Sequence, residues 1–158
     1  MYGIYKGKKY RVAKISTFYR VISREKEEGF EEYIDIVGEK HPDIFVKDVD
    51  IHELDYLYEV KYEFLYRGHY FRALSTMIRK LIDKDYFEIA AGVEKYDLIE
   101  KLGFKRLDES TWWKDIRRKD IEALKIVEEP EGIFKEQGLK IKILEGKAID
   151  DFLASVKD

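Results

Sequence analysis

The sequence contains no cysteine, two prolines, three histidines and no long apolar run. Without cysteine there are no disulfides, no thiolate metal sites and no cysteine nucleophile. The histidines, His41, His52 and His69, are scattered, and no pair has the helical spacing that holds zinc. Asp43, Asp48, Asp50, Glu53 and Asp55 lack the glycine and the periodic ligand pattern of a calcium loop, so no metal site is expected. No glycine-rich phosphate loop and no nucleophile elbow is present, so no cofactor and no catalytic residue is expected. No apolar stretch approaches the roughly 18 residues that span a bilayer. The N-terminus, MYGIYKGKKYRVAK, lacks the apolar core of a signal peptide, so a cytoplasmic location without membrane contact is the expectation. Basic residues do not predominate. The net charge of -3 argues against general nucleic-acid binding, which usually shows a basic balance.

What is present is charge, aromatic surface and an internal echo. Charged residues make up 40% and aromatics 15% of the 158 residues, with twelve tyrosines, which suits cross-strand pairs or a recognition surface. GIYKGKKYRV (3–12) returns as FLYRGHYFRA (64–73): Tyr5, Gly7, Tyr10 and Arg11 match Tyr66, Gly68, Phe71 and Arg72 at an offset of 61. Val21-Ile22 matches Leu81-Ile82, Gly29-Phe30 matches Gly103-Phe104, and KDVDIHELDYLYEV (47–60) matches KDIRRKDIEALKIV (114–127). Four matches in one order indicate tandem duplication of a small unit, longer than a solenoid period.

Each unit reads as mostly strand. Tyr2, Ile4, Tyr10 and Val12 alternate with polar neighbours around a tight turn at Lys6-Gly7. Phe18–Ile22 and Ile44–Val46 suit further strands, a turn is expected at Asp50–Glu53, and Tyr56, Tyr58 and Val60 alternate in a closing strand. The second unit adds a helix over 93–103, ended by Gly103. Residues 70–82 carry apolar side chains at helical spacing, but the alignment with the first unit favours strands, and strands are the expectation. Residues 140–144 read as an edge strand, and the segment from Gly146 onward as a helix with Ile149, Phe152, Leu153 and Val156 on one face. The expected class is therefore α+β and β-rich: two packed tandem SH3-like small-barrel repeats, residues 1–61 and 62–129, the second with an inserted helix, and a C-terminal strand–helix extension, 130–158.

Charge is segregated along the chain. Residues 1–24 carry seven Lys or Arg and no acid, whereas 25–59 carry thirteen acids against three lysines, a net of -10. Basic hairpins and acidic returns could simply neutralise one another within each unit. Alternatively, Asp48, Asp50, Glu53 and Asp55, with Tyr56 and Tyr58, form a landing surface for a basic partner, where charge complementarity speeds association. Trp112, beside Trp113 on a strand, is either a cover for the seam between repeats or an interface anchor. The basic hairpins, with Lys8, Lys9, Arg11, Tyr10, Tyr19, Tyr70 and Phe71, suggest an alternative: a tandem nucleic-acid-binding module working by phosphate contact and stacking.

The pattern GIYKGKKYRV … VISRE … GF … KDVDIHELDYLYEV resembles the immunity proteins encoded beside secreted polymorphic toxins in Gram-positive bacteria, several of which are built from SH3-like or related β-rich units. The resemblance covers residues 3–60 and, more loosely, 64–128. It implies a non-enzymatic protein that binds and neutralises a cognate toxin domain, many of which are nucleases with basic clefts. It carries over no set of binding residues, because such proteins diversify at the surface that meets the toxin.

Overall fold

The computed structural model describes residues 1–74 and 77–157. The chain divides into two compact units, one formed by Met1–Val60 with Glu128–Lys140, the other by Lys61–Val127 with Ile141–Asp158. The C-terminal segment is thus shared between them. The architecture is β-rich and antiparallel, with a C-terminal helix.

In the first unit β1 (Tyr2–Tyr5) and β2 (Lys8–Ile15) form a hairpin, followed by β3 (Phe18–Ser23), β4 (Glu31–Ile34), β5 (Lys40–Val49) and the first part of β6 (Tyr56–Tyr66). Their order is β4-β5-β3-β2-β1-β6. Lys6 and Gly7 both adopt positive φ, 48° and 77°, the mirror-image turn whose twist matches that of the strands it joins. Register places Tyr2 opposite Arg11 and Ile4 opposite Lys9, and on the other side Tyr2 opposite Tyr58 and Ile4 opposite Tyr56. Side chains alternate across a strand, so Tyr2, Ile4, Lys9, Arg11, Tyr56 and Tyr58 share the outer face. Tyr5, Tyr10, Val12 and Leu57 point the other way into the core with Val21 and Val49. Gly3 lies on that inner face, and a Cβ there would come within 2.7 Å of Val12 Cγ2.

In the second unit β6 continues into β7 (His69–Ala73) through Arg67 and Gly68, again both at positive φ, 51° and 78°. Then follow α1 (Arg79–Asp83), β8 (Phe87–Gly92), α2 (Tyr96–Lys101), β9 (Lys105–Arg106), β10 (Thr111–Ile116) and β11 (Ala123–Pro130). The order is β6-β7-β8-β10-β9, with β11 on the other side of β6. Strand for strand this repeats the first unit. The core holds Phe64, Phe71, Ile89, Leu124 and Ile149, all essentially inaccessible. β12 (Lys140–Leu144) pairs with β11, and α3 (Lys147–Ser155) follows it.

The helix expected over 93–103 is a 3-10 turn at Val93–Lys95 running into α2, and Gly103 at φ 74° terminates it. Strands were expected over 70–82, and only the first part agrees: β7 ends at Ala73 and Arg79–Asp83 is helical. Ser75 and Thr76 lie outside the described residues. Here the helical spacing of Ile78, Leu81 and Ile82 prevails, and the strand beside β7 is the later β8. The C-terminal helix buries Ile149 and Leu153 as expected, and Val156 sits just past its end. Arg118 holds this helix through both oxygens of Asp150, at 2.7 and 3.2 Å. Arg79 donates to the carbonyls of Leu153 and Val156 and so satisfies C-terminal acceptors. No helix among the described residues is long and apolar enough to cross a membrane.

Candidate functional site

The acidic residues singled out from the sequence lie around the end of β5 and the turn that follows. Asp50 caps a 3-10 turn at Ile51–Glu53: its carboxylate accepts from the His52 N–H at 2.9 Å, while Glu53 accepts from the Asp50 N–H at 2.8 Å. The two make a reciprocal capping box. Asp55 accepts from the Gly7 N–H at 3.1 Å and donates its own N–H to the Ile4 carbonyl at 2.8 Å, tying this turn to the first hairpin. Asp48 faces Arg20 across the strands in a two-point ion pair of 2.7 and 2.9 Å. Asp50, Glu53 and Asp55 remain exposed.

The second unit shows which of these carboxylates the fold itself requires. There Glu122 accepts from Gly68 at 3.2 Å and donates to Leu65 O, as Asp55 does with Gly7 and Ile4. Asp120 accepts from the Arg117 N–H at 2.9 Å, as Glu53 does from Asp50. The place of Asp50, however, is taken by Arg117, and the turn still forms. The acids at Glu53 and Asp55 therefore have a structural duty that both units share. The acidity of Asp50 does not.

Tyr56 and Tyr58 stack at 5.1 Å between ring centres on the outer face, and Tyr58 stacks on Tyr2 at 5.8 Å. Tyr58 is buried, at 5% exposure, so Tyr56 and Tyr2 present the accessible ring surface. Lys9 and Arg11 lie over the Tyr2 ring at 4.5 and 5.0 Å, and Lys140 over Tyr56 at 4.3 Å. Burial, with the nearby Glu128, raises the Tyr56 phenol above its ordinary value. Trp112 lies in the second unit on β10, half-buried, edge-on to Tyr96 at 6.1 Å. Its neighbour Trp113 is half-buried too. Of the aromatics expected on the basic hairpins, Tyr10, Tyr19 and Phe71 are core residues.

Sequence reasoning did not single out Glu27. Its carboxylate receives Lys8 at 2.5 Å, the Tyr10 hydroxyl, and Ser23 at 3.2 Å. The Lys8 ammonium, then the Tyr10 hydroxyl, hold this carboxyl below the usual range. In turn burial, then the bond to Glu27, pushes the Tyr10 phenol up to about 12. The only sequence signal for this cluster was the position of Glu27 two residues before the recurring Gly29-Phe30 pair.

A phenol that ionises later in the folded than in the unfolded chain stabilises the fold below its unfolded pKa, and loses that contribution as pH rises through the folded one. Stability should therefore fall between pH 10 and about 12, with Tyr86, pushed to about 12 by its bond to Glu88 and by burial, sharing the loss. In Tyr10→Phe the urea midpoint should drop less between pH 9 and 11 than in the parent. An equal drop would show that Tyr10 does not contribute.

Fold and surface together describe an α+β protein, rich in antiparallel strands, with a preformed acidic turn beside a tyrosine-lined sheet face. A family model described as "Uncharacterised conserved protein UCP033725" matches residues 1–132, and the chain belongs to that family. No curated protein and no solved structure matches the chain.

Proposed function

We propose that the protein is a non-enzymatic binder built from two SH3-like small-barrel repeats, and that it acts as an immunity protein, occluding the basic cleft of a cognate toxin domain such as a nuclease. The repeat reading is supported by the shared strand order, the twin positive-φ hairpins and the twin capped turns. The binding reading is carried by one observation: Asp50 is acidic where the matching turn forms with Arg117, so the turn does not require an acid at this exposed position even though Asp50 also caps it. Asp50, Glu53 and Asp55 are fixed by backbone donors of their own chain, so a basic partner meets carboxylates already ordered. Tyr56 lies beside them as a rigid aromatic, and Lys140 over its ring would be displaced or shared in a complex.

The nucleic-acid reading retains one supporting feature, the exposed Lys9 and Arg11 over Tyr2 on the outer face. Both readings are tested by co-expressing the tagged protein with the C-terminal domain of the product of the open reading frame immediately upstream. A stoichiometric complex that restores growth of cells making that domain is the expected result. Salt-dependent retention of RNA, without that partner, would transfer the function to the basic face.

A further inference from the structure

Each unit has a pocket beside its hairpin turn, bounded in the first by the segment that holds Gly29-Phe30 and in the second by the end of α2. The first, of about 450 Å³, is lined among others by Tyr5, Lys6, Lys8, Tyr10, Glu27 and Phe30. The second, of about 480 Å³, is lined by Tyr66, Arg67, His69, Leu98, Lys101 and Leu102. Tyr66, Arg67 and His69 stand where the first unit has Tyr5, Lys6 and Lys8, and the turn cation lies over the tyrosine ring in both, at 5.5 Å in the first and 5.7 Å in the second. Counting back two residues from Gly29-Phe30 and from Gly103-Phe104 brings Glu27 and Lys101 into correspondence. The two glycines share a positive φ, 82° and 74°, although Glu27 precedes its glycine in irregular backbone and Lys101 ends α2.

The correspondence reverses a charge. In the first pocket the Glu27 carboxylate is an internal occupant, taking Lys8, Tyr10 and Ser23 as donors. In the second, Lys101 replaces that carboxylate, Phe71 replaces the Tyr10 hydroxyl, and no acidic side chain is among the described lining residues. Arg67 and Lys101 both line this pocket with Tyr66, Leu98 and Leu102, and the Glu122 carboxylate beside the turn is held by the Gly68 N–H at 3.2 Å. Two cations lining one pocket favour an arriving anion. A guanidinium also offers two parallel donors to a carboxylate.

We infer that the second-unit pocket binds an organic monocarboxylate with an apolar body, its carboxylate at Arg67 and Lys101 and its body on Tyr66, Leu98 and Leu102. The pocket is open to solvent, and a small ring or short chain can lie against its wall.

The test is an NMR titration of the full-length ¹⁵N-labelled protein with phenylacetate, its uncharged isostere phenylacetamide, and inorganic phosphate. Phenylacetate should shift the Gly68, His69 and Gly103 amides saturably, while Gly7 and Gly29 stay in place. Phenylacetamide and phosphate, each lacking one half of the recognition, should bind at least about tenfold more weakly. Arg67→Ala should weaken phenylacetate binding about tenfold. Lys101→Glu, which places a carboxylate at an exposed position in the last turn of α2, should remove binding with only a small fall in the thermal midpoint. No saturable shift, equal binding of the amide or of phosphate, shifts centred on Gly7 and Gly29, or an unaffected Lys101→Glu variant would each overturn the assignment.

Discussion

Replacing Phe71 by alanine should cost about 3–5 kcal/mol of stability, the largest single-residue effect expected in this chain. Phe71 is fully inaccessible at the middle of β7. Its ring lies 5.0 Å from that of Phe104 and 6.4 Å from that of Tyr66, so the cavity left behind would be walled by rigid aromatics that cannot collapse into it. The Lys95 ammonium lies 4.7 Å from the ring centre and reaches the Tyr70 carbonyl. Truncation would remove its π partner as well as the packing. Phe71→Leu keeps most of the volume and should cost much less, below about 2 kcal/mol. Urea unfolding of both variants at neutral pH checks the pair. Near-equal losses would mean that the aromatic contacts, rather than the cavity, dominate, and a loss below about 1.5 kcal/mol for the alanine variant would show that the cluster relaxes.

Phe71 also shows why part of this fold was legible in the sequence. Tyr10 and Phe71 hold the same place in two copies of one pattern, and both prove buried, because a hairpin with a two-residue positive-φ turn fixes which side chains face inward. The same logic made the turn glycines Gly7 and Gly68 readable, whereas in the closing strand, read as an alternation of Tyr56, Tyr58 and Val60, it is Leu57 that faces the core, as its match Leu124 does in the second unit. It failed at Leu81 and Ile82, where the second copy inserts a helix before resuming with β8. A short apolar run is compatible with either period until its neighbours are known. The acidic turn was readable as a cluster of carboxylates but not as individual roles. Asp48 opposite Arg20, Glu53 on a backbone N–H and Asp55 on Gly7 are set by register and turn geometry, to which charge counting is blind. Glu27 was missed for the same reason, since its donors lie 19, 17 and 4 residues away in sequence.

Sorting those carboxylates gives the second large effect, Asp50→Arg. If the acidic turn meets a basic cleft, reversing this charge should weaken the complex on the order of a hundredfold, since a like-charge contact replaces an attractive one at a desolvated position. The usual objection is that a capping aspartate cannot be reversed without damage to the turn. The second unit answers it: Arg117 occupies the matching position, and Asp120 still accepts its N–H. The turn of the variant should therefore persist through the Glu53 arm of the box, at a stability cost of about 1 kcal/mol for the lost side-chain cap. Glu53→Gln provides the complementary case, since an amide oxygen can still accept from the Asp50 N–H while the charge is gone, and affinity should fall less than for Asp50→Arg. Calorimetric titration of each variant with the co-purified partner, with thermal melts alongside, separates the two effects. Full affinity in a folded Asp50→Arg protein would place the contact elsewhere on the surface. A large loss of affinity with a melting temperature close to the parent's would locate the interface at the turn that follows β5.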